Sequence, residues 1–195
     1  MIPPIFKKII QIFDSFPEIG PRQAWRLFFW FVKQDKRFQE KFLESFDILI
    51  KDLKFCKECY FPTIGSDLCN ICSDKRRDRS KICIVSRETD LITIENLKRY
   101  RGLYFVLGGL ILPFEDKKII EERIKKLKER LEKDKEIKEV ILALPLTKEA
   151  EPTKKELEKI LSSYNIIIKR PKRGIPTGGE IEFIDPETLK EALDL

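Results

Sequence analysis

Four cysteines carry the strongest chemical signal in this sequence. Cys56, Cys59, Cys69 and Cys72 stand in the stretch "CKECYFPTIGSDLCNIC" as two Cys-x-x-Cys pairs. Each pair makes a turn that aims two sulfurs at one point. Two such turns closing a short loop offer four thiolates to a tetrahedral ion, which suits zinc. Four thiolates leave no open coordination position, so the expected role is structural rather than catalytic. A thioredoxin-type redox motif needs one pair ahead of a helix, not two. The chain contains no histidine. That excludes Ser-His and Cys-His nucleophilic catalysis and every His-ligated metal site. The fifth cysteine, Cys83, lies in an apolar run and reads as a small buried hydrophobe.

A second candidate site is "FPEIGPRQAWR", Phe16 to Arg26. Its logic is a tight turn feeding a helix. Gly20 offers a permissive backbone and Pro21 suits the first helical position. Arg22 and Arg26 then lie one turn apart on one face, beside the unpaired N–H groups of the helix start. Such an arrangement fits a DNA phosphate. The plain alternative is a helix-turn-helix packing corner with solvated arginines.

These residues need elements to position them. The segment to Lys54 reads as helical, with Ile5, Ile9, Ile12 and Phe13 on one face of the first helix. The run from Ala24 to Val32 is apolar on nearly all faces, which calls for cover on all sides. A helix so short cannot provide that cover alone, so a second copy of the chain is expected to supply it. Phe38, Phe42, Phe46, Leu49 and Leu53 mark a third helix. After the cysteines the pattern changes. The strands "ICIV", "LYFVLGG", "EVILAL" and "NIIIK" alternate with helices at Thr89 to Arg99, around Ile120, Ile124, Leu127 and Leu131, and around Leu157, Ile160 and Leu161. Alternation of this kind predicts a mainly parallel sheet.

The chain has 195 residues, a net charge of +6 and a pI near 9.0. A basic balance favours nucleic acid or another anionic surface. Lys7, Lys8 and Asp14 interrupt the apolar run that a signal peptide would need, so a cytoplasmic location with reduced thiols is expected. In "DKRRDRSK", arginines are expected to pair with Asp74 and Asp78 and lock the cysteine module to the α/β part. "TGGE" at Thr177 to Glu180 lacks the Lys-Ser/Thr ending of a nucleotide-binding loop. Gly178 and Gly179 are instead read as letting the tail pack closely on a neighbouring subunit.

Four stretches together resemble the RecR family of bacterial recombination mediators. They are "FPEIGPRQAWRL", "CKECYFPTIGSDLCNICSDKRRDRSKICIV", "YRGLYFVLGGLILP" and "RGIPTGGEIEF", in the family's order. The resemblance implies a multidomain α and α/β chain. Its parts would be a helix–hairpin–helix domain over 1–54, a Cys₄ zinc finger over 55–78, a Toprim domain over 79–168 and a C-terminal segment over 169–195. It implies a ring or clamp-like homo-oligomer, a dimer or tetramer, that binds single- and double-stranded DNA. That assembly would act with RecO, and in some contexts RecF, to load RecA onto strands coated by single-strand-binding protein.

By the same resemblance Arg22 and Arg26 align with DNA-contact positions. Glu149 and Glu151 match acids of a Toprim loop, and are assigned to RecO or to a weakly bound ion. Two positions depart from the family. Glu18 stands where a glycine is usual, and Ser86 where an acid follows the first Toprim strand. A metal-dependent Toprim nuclease or primase-like enzyme is the alternative reading. Ser86 leaves its acidic constellation incomplete, so no catalytic residue is expected.

Overall fold

In the computed structural model, residues 2–113 and 117–194 are described. They form two compact units, 1–53 and 54–195.

The first unit holds α1 (Pro4–Asp14), α2 (Pro21–Val32) and α3 (Lys36–Asp52). Ile10 of α1 is buried with Ala24 and Phe28 of α2, flanked by Phe6, Ile9, Phe13, Ile19 and Trp25. The packed face of α1 is therefore rotated from the expected one. Ile9 and Phe13 belong to it, but Ile5 and Ile12 are exposed and Phe6 and Ile10 replace them. The Phe6 and Phe28 rings lie 4.8 Å apart. Asp35 caps α3 by accepting from the Phe38 N–H at 2.8 Å. Gln39 on α3 donates to the Phe31 carbonyl at 3.0 Å, and Phe31 meets Phe42 at 5.1 Å. No residue of α3 is buried, and Phe29, Trp30, Val32, Phe38, Phe46 and Leu49 remain exposed.

The turn before α2 is built differently from expectation. Gly20 is the N-cap with φ −94°, ordinary extended backbone. The left-handed position is Glu18, at φ 63°. A side chain there costs about 1–2 kcal/mol relative to the right-handed region.

The second unit opens with a two-stranded sheet of β1 (Leu53–Phe55) and β2 (Pro62–Ile64), then the short helix α4 (Asn70–Ser73). A four-stranded sheet follows, from β3 (Asp78–Val85), β4 (Gly102–Val106), β5 (Glu139–Ala143) and β6 (Ile167–Lys169). Its order is β4-β3-β5-β6 and all pairs are parallel. Alternate residues of β3 point to opposite faces. Ile82 and Ile84 pack with Leu103 and Phe105 beneath α6 (Lys118–Lys133) and α7 (Glu151–Leu161). The expected stripe of α6, Ile120, Ile124, Leu127 and Leu131, is fully in that core. Cys83 and Val85 face the other way, with Tyr104, Val106 and Leu91 of α5 (Glu88–Asn96). That helix is shorter than expected, ending at Asn96 rather than Arg99. Lys98 turns left-handed behind it, at φ 55°.

Beyond β6 the chain is held by ion pairs. Arg170 meets Glu158 at 2.6 Å and Arg173 pairs with Glu187 of α8 (Pro186–Ala192). Gly178 has φ +85°, and the Gly179 N–H donates to the Pro176 carbonyl at 2.9 Å. These glycines close a tight turn.

The Glu18 geometry makes a prediction. Glu18→Gly relieves the left-handed penalty but loosens the unfolded chain, so a net stabilisation of about 0.5–1 kcal/mol is expected. The midpoint of urea unfolding of the N-terminal unit in the whole chain measures it. An unchanged or lower midpoint would show that the turn carries no strain.

Candidate metal centre and nucleic-acid interface

The four cysteines of the repeated motif converge. Their ligand atoms all lie within 4.8 Å of one another and all four residues are buried. Cys59 and Cys69 approach to 3.5 Å between sulfurs. Four thiolates around one tetrahedral ion at about 2.3 Å place sulfurs roughly 3.8 Å apart, so the cage is of metal-binding size.

Local backbone builds the two knuckles. The Cys56 N–H donates to the Phe61 carbonyl and the Tyr60 N–H to the Cys56 carbonyl, both at 2.9 Å. Closing that turn puts Tyr60 at φ 64°, a position glycine fills at less cost. The Tyr60 ring holds it there, packed on Phe105 at 5.5 Å with the Arg123 guanidinium 4.9 Å from its centroid. The Lys57 N–H reaches the Asp67 carbonyl at 2.9 Å and ties the two knuckles together.

As thiols the four groups compete for protons. Hydrogen bonds from Cys59, then Cys69 and Cys72, hold Cys56 far below the usual thiol range. The same bonds to Cys56 push Cys59 and Cys72 up. Cys83 is different, because burial alone pushes its thiol up to about 12 and keeps it inert.

The module is seated on the free edge of β4. The Val106 N–H donates to the Cys59 carbonyl at 2.9 Å. Arg130 of α6 donates from Nη1 to the Glu58 carbonyl at 2.6 Å and to the Tyr104 carbonyl at 3.2 Å. Arg79 donates to the Cys72 carbonyl at 3.2 Å. The expected lock through Asp74 and Asp78 is not what forms. Arg76 pairs with Asp74 locally at 2.9 Å, and Asp78 turns to Ser80 and to Lys81 at 3.0 Å. Arg77 instead pairs with Glu95, which also accepts from the Tyr104 hydroxyl at 2.9 Å. Burial by itself would raise the Glu95 carboxyl. The hydrogen bonds from Arg77 and Tyr104 outweigh it and hold the group below its usual value.

Sequence reading missed Arg130, Arg123 and the Arg77–Glu95 pair. The signal for the first two was present: they flank the apolar stripe of α6 seven residues apart, so they recur on one helical face.

Arg22 and Arg26 are both exposed on α2, whose start has no side-chain cap and no acid in its first turn. Glu149 and Glu151 are both exposed, Glu149 in a short helical turn after β5 and Glu151 as the first residue of α7. Glu149 is held below the usual carboxylate range by its own backbone N–H and by Thr147, and Glu151 by Lys154 at 2.8 Å. Ser86 is buried, and its hydroxyl donates to Asp90 at 2.7 Å. Among the described residues, the cysteines are the only group of three or more Cys, Asp or Glu placed to hold a metal ion.

A Toprim domain model matches residues 80–170, and a model described as RecR, C-terminal, matches 174–194. The recombination protein RecR of Bifidobacterium adolescentis is 37% identical over 96% of this chain and 92% of its own length. That of Chloroflexus aurantiacus is 36% identical over 96% and 91%, and that of Ligilactobacillus salivarius 35% over 98% and 96%. The chain belongs to the RecR family. The α/β body of this RecR chain is a Toprim domain, and its buried Cys₄ cluster is a metal-binding site. No helix among its described residues is long and apolar enough to cross a membrane.

Two outcomes follow from this geometry. Cobalt added to the reduced chain should give the ligand-field and thiolate-charge-transfer bands of one tetrahedral ion per chain, and Cys56→Ser should abolish them. Two ions per chain, or bands retained in Cys56→Ser, would overturn the assigned cage. The lowered Glu95 carboxyl contributes stability that is present above its unfolded value, near 4.5, and lost as pH falls through the folded value. Denaturation profiles between pH 7 and 3 should therefore fall less steeply in Glu95→Gln than in the native chain. Identical slopes would show that the pair contributes nothing to acid sensitivity.

Proposed function

We propose that this chain is a DNA-binding recombination mediator that performs no catalytic turnover. Copies assemble into a ring or clamp. That assembly acts with RecO, and with RecF where it is present, to promote RecA loading on single strands covered by single-strand-binding protein. The observation that carries the assembly is the face left by α2 and α3. Phe29, Trp30, Val32, Phe38, Phe46 and Leu49 are all at least two-fifths exposed or close to it. An apolar patch of this kind marks an interface, and a second copy offers the same patch for self-complementary pairing.

In this reading zinc fills the Cys₄ cage, and Arg22 and Arg26 contact DNA phosphates. Glu149 and Glu151 present a negative loop to RecO or to a weakly bound ion. Their separate hydrogen bonds and the burial of Ser86 argue against a nuclease or primase centre, which needs acids converging on Mg²⁺. The four-part division into 1–54, 55–78, 79–168 and 169–195 is proposed with it.

Mass in solution tests the assembly, and a stable monomer at micromolar concentration would sink it. DNA affinity should fall about tenfold or more in Arg22→Glu with Arg26→Glu, by loss of two phosphate contacts. Unchanged affinity would place the DNA face elsewhere. Nicking of supercoiled plasmid with Mg²⁺ or Mn²⁺ that disappears in Glu149→Ala would establish the enzymatic alternative.

A further inference from the structure

A cavity of about 720 Å³ lies at the seam between the cysteine module and α6. Phe55 and Tyr60 from the first knuckle, Arg79 from β3, and Lys126, Arg130 and Lys133 from α6 line it. Lys57 adds a fifth cation, against three acids, Glu58, Glu129 and Asp134. The α6 cations recur every three or four residues, so they form one stripe along the helix.

Two features in this seam are left over from folding. Arg130 is 8% exposed, yet its Nη2 has no hydrogen-bond partner. Its Nε lies 3.2 Å from the Glu58 carboxylate but is not aligned to donate to it. A buried guanidinium with idle donors is costly, and each such group calls for an explanation. The second feature is Phe55. Its ring is half exposed, with Arg123 5.8 Å from its centroid. An exposed aromatic beside a row of cations is the arrangement that takes an unpaired base on the ring and its phosphate on the charges.

We propose that this seam is a second nucleic-acid site, which takes single-stranded DNA with a base stacked on Phe55 and backbone phosphates along Lys126, Arg130 and Lys133. Duplex is disfavoured because its bases are already stacked. Glu58 is the regulating group: its partly exposed side chain swings aside to release the Arg130 donors to a phosphate oxygen. The proposal rests on the DNA-binding reading above, but uses none of its residues.

The test is fluorescence anisotropy of a labelled oligothymidylate with the full-length, metal-loaded chain, at several salt concentrations. Lys126→Glu with Lys133→Glu should weaken binding about tenfold and make the log–log salt dependence shallower by roughly 1.4, two single-strand phosphates' worth. Phe55→Ala should weaken it about five- to tenfold with the salt slope unchanged, as loss of one stacked base requires. Glu58→Gln removes only a charge and should tighten binding two- to threefold, which guards against a folding defect in the other variants. Native affinity retained in the lysine variant and in Phe55→Ala, while Arg22→Glu with Arg26→Glu loses it, would overturn this site and leave the mediator reading standing. No binding by the native chain would remove both. Equal losses on duplex and single strand in Phe55→Ala would overturn the stacking role.

Discussion

Two successive carbonyls of the first cysteine knuckle, those of Glu58 and Cys59, are held by the α/β body. Arg130 takes one and the Val106 N–H takes the other. Much in the second unit follows from this pairing. β4 is an edge strand, and an unpaired edge invites association with other chains. The knuckle covers that edge and makes the metal-binding module part of the sheet's hydrogen bonding. Phe61 and Ile71 then pack on one face of the sheet, and Tyr60 reaches Phe105 on the other. Disturbing the four sulfurs therefore disturbs the end of β4, and with it the seam along α6.

The same attachment explains the arginines. Arg77, Arg79, Arg123 and Arg130 each donate to a backbone carbonyl of the module or of the sheet. Guanidinium suits this work because its planar donors serve two partners at once without losing charge. Among the described residues, the exposed Arg22 and Arg26 of α2 have no such partners. Four arginines thus join parts of the second unit, while other cations pair locally on the surface, as Arg76 does with Asp74 and Lys154 with Glu151.

Much of this was legible in the sequence. The Cys-x-x-Cys repeat fixes its own geometry, because two short turns leave the sulfurs little choice. The α6 stripe and the strand alternation were readable because burial imposes periods of 3.6 and 2. What could not be read was long-range pairing. Nothing local says that Arg77 passes over the adjacent Asp74 for Glu95, eighteen residues on, or that Arg130 reaches back to Glu58. The Glu18 turn failed for another reason. Gly20 is the residue that left-handed backbone prefers, but the chain spends that conformation two residues earlier, on a residue that bears its cost. The first helix was misread by a fraction of a turn, because Ile5, Phe6, Ile9, Ile10, Ile12 and Phe13 leave more than one apolar face to choose from.

Cys83 has a use of its own. Its sulfur is walled into the sheet and holds its proton through the neutral range, whereas the other four sulfurs are buried in the small module and become reachable only when it loses its ion and opens. A gentle alkylating reagent therefore counts the state of the molecule. Cage filled, it finds no sulfur; cage emptied and its module opened while the sheet holds, four; chain unravelled, five. One titration thereby separates loss of the ion from loss of the fold, with no label added.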